Sequence, residues 1–177
     1  ADTYKEETVH LMKNTNNIRV VLQHISGKPV DDKDFTFSIT DDNTLFAADN
    51  SLIPNETQVY APWAQGCRTT GVTESGDAEV TVAYAELSTS RLVRENRPRL
   101  VISRKNDGKP VVDIPLNEYL LLLKSDRFHE MSDQEFLDRE SDWSMVFFLD
   151  DSNNQEWIRT HIVVNDWVVR LNDIGFN

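Results

Sequence analysis

The sequence predicts a mainly β protein: an antiparallel β-sandwich with one short helical crossover. Three observations carry this. Apolar residues recur with period 2 in short segments, as in Phe35, Phe37 and Ile39. Turn-forming clusters such as "SGKP", "TDDN" and "NDG" separate those segments at short intervals. Only residues 116–139 carry a helical pattern. About nine or ten strands at such spacing are the signature of a sandwich.

Taken in order, Thr8–Met12 and Ile18–Ile25 (IRVVLQHI) are rich in β-formers, and "SGKP" stops the second. Phe35–Ile39 should bury Phe35, Phe37 and Ile39 on one face. Gln58–Trp63 is a short strand, and "GCRTTGVTESGD" reads as a polar loop. Glu79–Leu87 alternates again, placing Val80, Val82 and Tyr84 together. "RENRP" breaks the chain. Arg99–Lys105 and Pro110–Ile114 flank "NDG", a hairpin signal. Met145–Leu149, Trp157–Val164 and Trp167–Leu171 complete the set. Between them, Leu116–Lys124 and Ser132–Arg139 read as helices. Ser132 and Glu135 fit a capping box, with Met131 and Phe136 at the staple positions.

The chain has 177 residues, which fits one domain over 1–177. Its hydrophobic share, 39%, supplies a core, and its eight Phe, four Tyr and four Trp argue against disorder. A net charge of −12 argues against nucleic acid, because phosphate binding needs clustered Lys and Arg. Cys67 is the single cysteine, so neither an internal disulfide nor a Cys/His zinc pattern is available. The longest apolar run, Tyr119–Leu123, is far too short to span a bilayer, and the first residues carry no signal-peptide pattern.

No catalytic motif emerges, and the expected site residues are none: no catalytic, cofactor-binding or metal residues, and no cofactor. "TDDNTLFAADN" holds Asp41, Asp42, Asn43, Asp49 and Asn50, but Phe46 stands where an EF-hand loop needs glycine. Asx-turn chemistry explains these residues more simply. The acids from Asp133 to Asp142 suggest a solvated helix face rather than a glycosidase pair. His10, His24, His129 and His161 are scattered, and Cys67 has no nucleophile signature around it. Trp63, Trp143, Trp157 and Trp167 raise one alternative: a sugar-stacking platform, as in a carbohydrate-binding module of a surface glycan-uptake system. Nucleotide-binding glycine motifs are missing.

Two segments, Val9–Asn43 and Asp133–Ile174, resemble the fimbrillin-B-like fimbrial subunit and anchor family of Bacteroidales. The likeness lies in "LMKNTNNIRV" near the start, "QEFLDR" before the "FFLD" strand, and the closing hairpin "HIVVNDW". It is weaker between Gly66 and Val80. The resemblance implies transthyretin-like β-sandwich domains, usually in tandem, and a lipoprotein anchored at the outer membrane through an N-terminal lipidated cysteine. Under that implication this chain is the C-terminal domain of a two-domain protein, because Cys67 is mid-chain and cannot carry the lipid. Membrane attachment then belongs to the missing N-terminal part. The implied role is a non-enzymatic anchor or accessory subunit of cell-surface fimbriae that joins other subunits by strand addition. The segments expected to take part are 8–12 and 167–171, because terminal strands can be released or added without breaking topology. In the closing hairpin, Asn165-Asp166 should supply the turn. Val163 and Val169 should be the apolar residues left on the solvent side, covered by the helical crossover, another domain or a partner strand.

Overall fold

A computed structural model describes residues 4–8, 11–70, 79–124, 128–150, 157–164 and 167–170, the last two stretches as backbone. Ten strands form two sheets. The chain runs through β1 (Thr15–His24), β2 (Phe35–Asp41), β3 (Gln58–Tyr60), β4 (Ala64–Thr70), β5 (Val80–Ser90), β6 (Arg99–Arg104) and β7 (Pro110–Pro115). Helices α1 (Leu116–Leu121) and α2 (Asp133–Arg139) follow, then β8 (Asp142–Leu149), β9 (Trp157–Val164) and β10 (Trp167–Arg170). One sheet has the order β10-β9-β8-β1-β5-β4 and the other β3-β2-β6-β7.

The expected mainly β sandwich with a short helical crossover is what forms. Its ladders are antiparallel with one exception: β1 and β8 pair in parallel, Ile18 opposite Trp143 and Leu22 opposite Phe147. Parallel neighbours cannot be joined by a tight turn and need a long connection. Here the chain leaves β7 at the end of the four-stranded sheet and returns in the middle of the six-stranded one. The two helices lie on that return path.

The core lies between the sheets. Ile18, Val20 and Leu22 on β1 and Met145, Phe147 and Leu149 on β8 are fully buried. They meet Phe35, Phe37 and Ile39 of β2, which share one buried face as the period-2 pattern requires. On β5 the residues that join this core are Ala83, Ala85 and Leu87, not Val80, Val82 and Tyr84. The apolar alternation in Glu79–Leu87 therefore marks the outer face, and the small alanines face inward, where large side chains from the opposite sheet fill the space.

Four sequence expectations are corrected. Thr8 and Leu11–Met12 join no ladder; Leu11 is 94% exposed, and the first strand starts at Thr15. A β-rich composition forms a strand only where a neighbour can satisfy its backbone; β1 pairs with β5 from Thr15 onward and gains β8 on its other side from Asn17. Second, the polar "GCRTT" stretch is not loop: it is most of β4, the edge strand beside β5. An edge strand has no need of a buried stripe. Arg68 lies over the Tyr84 ring at 4.5 Å, and Gly66 lets that ring come close, since a Cβ there would sit 3.2 Å from it. Third, the Gln58–Trp63 strand stops at Tyr60, just before Ala61 and Pro62. The fourth concerns Val163 and Val169. Val163 pairs with Val146 and Val168, whereas Val169 pairs with Ile162, which lies opposite the core residue Phe147. Cross-strand partners share a face, so the register puts the two positions on opposite faces of the sheet; their side chains lie outside the described residues. Asn165-Asp166 and Leu171 fall outside the described residues.

The crossover follows its sequence in part: α1 stops at Leu121 rather than Lys124, and of the capping box the Ser132 half forms. Ser132 Oγ accepts from the Glu135 amide at 3.1 Å, and the Glu135 carboxylate pairs with Arg139 at 2.7 Å. Phe136 and Leu137 are buried, and the Phe136 ring stands 5.8 Å from Phe128 and 6.0 Å from Trp143. Ser132→Ala is expected to cost about 1 kcal/mol through loss of the N-cap, read as a lower denaturant midpoint with an unchanged slope.

Candidate functional site

Of the polar residues singled out in the sequence, Asp41, Asn43, Asn50, Asp133 and Asp138 gather around the connection that joins β5 to β6. Asn43 is fully buried; its Nδ2 donates to the Ser90 and Arg91 carbonyls at 3.2 and 3.0 Å, and its Oδ1 accepts from the Tyr60 hydroxyl at 2.6 Å. Asn96 Nδ2 donates to Asp41 Oδ1 at 3.0 Å and to the Asp42 carbonyl at 2.7 Å. Asn117, at the start of α1, donates to the Val93 and Asn96 carbonyls at 2.8 and 3.3 Å. Three asparagines thus hold residues 90–96 against β2 and α1, satisfying backbone that no sheet pairs.

Arg91 is the second anchor. Its guanidinium makes a two-pronged pair with Asp138 of α2 at 2.6 and 2.7 Å and donates to the Asn50 carbonyl at 2.9 Å. The hydrogen bonds to Asp138 hold its pKa above the ordinary arginine value. Nearby, Asp133 takes Lys124 at 2.8 Å and Arg94 at 2.9 Å, and those two bonds hold its carboxyl below the usual range. The acids of 133–142 are thus placed as ion-pair partners and caps: Glu140 accepts from the Ser141 and Asp142 amides, and Asp142 from Asn17.

Of the "TDDNTLFAADN" acids, Asp49 forms an Asx turn, whereas Asp42 and Asp41 bond residues far along the chain. Asp42 accepts from the Asn55 amide, Asp49 from the Ser51 amide and hydroxyl, and Asn50 adopts a φ of 65°. Among the described residues, the one trio of His, Cys, Asp or Glu whose ligand atoms come within 4.8 Å of one another is Asp31, Asp32 and Cys67, on the surface. Cys67 Sγ lies 3.2 Å from Asp32 Oδ1, and partial desolvation, followed by that carboxylate, pushes the thiol's pKa up. A thiol kept protonated is a poor nucleophile. His24 Nδ1 lies 3.1 Å from the Asp150 carbonyl oxygen; His129 is mostly exposed, and His10 and the side chain of His161 lie outside the described residues.

The tryptophans do not assemble into a described platform. Trp143 is core, with Nε1 donating to Asn16 Oδ1 at 3.2 Å, whereas Trp63 is 67% exposed. The side chains of Trp157 and Trp167 lie outside the described residues.

Buried acceptors on Asp41 and Asn117 break the pattern of satisfied polar atoms. Asp41 is 5% exposed, and its Oδ2 has no hydrogen-bond donor. Burial raises its pKa above the ordinary value; the Asn96 and Asp42 bonds oppose that, and the Asp42 charge adds to it. The folded protein therefore binds this proton more tightly than the unfolded chain. The stabilisation is complete below the ordinary carboxylate range and is lost as pH rises through the raised folded value. Asp41→Asn is expected to be at least as stable as the parent at pH 7 and to lose that advantage below pH 4, measured as the melting temperature against pH.

Asp41 lines a cleft of ≈330 Å³ with Thr40, Asp42, Thr57, Glu95, Asn96 and Arg97. A neighbouring cleft of ≈260 Å³ shares Glu95, Asn96 and Arg97 and is walled by Asn117 and Glu118. Asn117 is 2% exposed, and its Oδ1 likewise has no donor. Glu95, Asn96 and Arg97 lie in "RENRP", which reads in the sequence as a chain break; the pairing of Asn96 with Asp41, 55 positions apart, leaves no local signal.

The molecule is thus a β-sandwich in which the ion pairs Arg91–Asp138 and Arg94–Asp133 tie the β5–β6 connection to α2. The chain belongs to the family of fimbrillin-A associated anchor proteins Mfa1 and Mfa2, whose sequence profile matches residues 1–173. It is 59% identical to a candidate adhesin from Bacteroides thetaiotaomicron, with a TM-score of 0.87 over 97% of this chain and 57% of that one. A candidate polysaccharide-binding protein from the same organism is 31% identical, with a TM-score of 0.72 over 92% of this chain and 52% of that one. The fimbrial anchor protein Mfa2 from Porphyromonas gingivalis shares the fold, with 13% identity and a TM-score of 0.60 over 89% of this chain and 48% of that one. These relatives are described as adhesins, anchors and polysaccharide-binding proteins, not as enzymes. The chain spans about half the length of these solved chains. No curated protein sequence matches it.

Proposed function

We propose that this chain is the second sandwich of a two-domain, lipid-anchored outer-membrane protein that joins fimbrial subunits at the cell surface by strand addition and supports adhesion. Membership of the anchor family supports the fimbrial part of this reading. The observation that carries the assembly part is the sheet order. β10 is the end strand of the six-stranded sheet, so among the described residues its outer side has no neighbouring strand. An end strand presents unpaired amides and carbonyls that an incoming strand can satisfy. Ahead of β1, Thr8, Leu11 and Met12 are exposed and belong to no ladder. Such a segment can be given to a neighbour without dismantling this fold. Residues 167–171 thus act as the receiving edge and 8–12 as a segment to donate.

Purification of the tagged full-length protein from its native cell surface tests the fimbrial reading. Co-purifying stalk subunits and an N-terminal lipid are the expected result. A soluble protein that brings down no fimbrial subunit would overturn it.

A further inference from the structure

We propose that the two clefts astride the Glu95–Arg97 turn form one binding site for a saccharide. The first support is the pair of donorless acceptors. Asp41 Oδ2 and Asn117 Oδ1 are both buried, both unpartnered, and both belong to residues that wall these clefts. A buried acceptor without a donor costs stability, and such costs concentrate where a protein binds something. Two of them flanking one short turn call for a ligand that offers hydrogen-bond donors on both sides of it.

The chemistry of the walls selects the ligand class. Carboxylates from Asp41, Glu95 and Glu118 and the guanidinium of Arg97 put acceptors and a donor side by side. A sugar hydroxyl both donates and accepts, so it suits this alternation. A divalent cation needs several oxygens converging on one point, and the acids of these clefts are not among the convergent groups found. Arg97 would also repel a cation. The larger cleft has the size of a small-molecule pocket. Glu95 and Arg97 are exposed, and exposed side chains change rotamer within nanoseconds, so they can part to admit a hydroxyl to the buried oxygens.

The site does not depend on strand addition, and its test uses the isolated chain with no other subunit. The chain is screened against an array of mucin glycans and plant and bacterial polysaccharides, and the best binder is then titrated. At least one saccharide should bind. Asp41→Asn and the surface change Arg97→Ala should each weaken it by about tenfold or more, with melting temperatures no lower than the parent's at pH 7. Three results would overturn the proposal: no saccharide bound at all, binding that both variants leave unchanged, or a calcium chloride titration showing that Asp41→Asn removes cation binding instead.

Discussion

Trp143→Ala should lower the stability of the fold by about 3–5 kcal/mol, the range for deleting a large buried side chain. Trp143 is 2% exposed, lies opposite Ile18 in the parallel ladder, and stands 6.0 Å from the Phe136 ring. It is the point where the crossover helices, β1 and β8 meet. The substitution opens a cavity of indole size and also removes the donor to Asn16, itself 3% exposed. Since domains of this size are stable by only about 5–15 kcal/mol, the variant should be largely unfolded at modest denaturant. Trp143→Phe keeps much of the packing but not the hydrogen bond, and should recover more than half of the loss. Chemical denaturation of the three proteins measures this; a loss below about 1 kcal/mol for the alanine variant would mean that the crossover does not pack here.

Arg91→Ala carries the second large effect, about 3 kcal/mol or more. Arg91 and Asp138 have side chains only 12% and 16% exposed, and the pair ties α2 to the β5–β6 connection and to the Asn50 loop. Removing the arginine leaves a largely buried carboxylate facing no cation, which costs more than the intact pair contributes. The double variant Arg91→Met, Asp138→Leu should therefore be markedly more stable than Arg91→Ala alone. A double-mutant cycle on denaturation midpoints checks the sign; simple additivity would contradict the ion-pair account.

Much of the fold was readable from the chain because its signals are local. Period-2 alternation over Phe35–Ile39, the capping pair Ser132 and Glu135, and the "NDG" hairpin each depend on residues close in sequence. The misreadings have a common cause. β4 looked like loop because an edge strand satisfies its backbone on one side and needs no apolar stripe, and the ring of Tyr84 that Gly66 and Arg68 accommodate comes from another strand. Thr8–Met12 looked like strand because composition registers propensity but not whether a neighbour exists. On β5 the alternation left the core face open, since alanines carry little apolar signal yet Ala83 and Ala85 face the core. The clefts at Glu95–Arg97 were illegible for a stronger reason. They depend on Asp41, Asn96 and Asn117, three polar residues from separate parts of the chain, brought together by topology alone.

The claim on which the functional account turns is that the exposed segment ahead of β1 joins subunits without being needed for the fold. Deleting residues 1–12 from the full-length protein's counterpart of this domain tests it most directly, with fimbriae counted on the native cell surface and the melting temperature of the isolated domain measured alongside. The account predicts a domain that melts as before and a surface with far fewer attached fimbriae. An unchanged melting temperature together with normal fimbriae would contradict it.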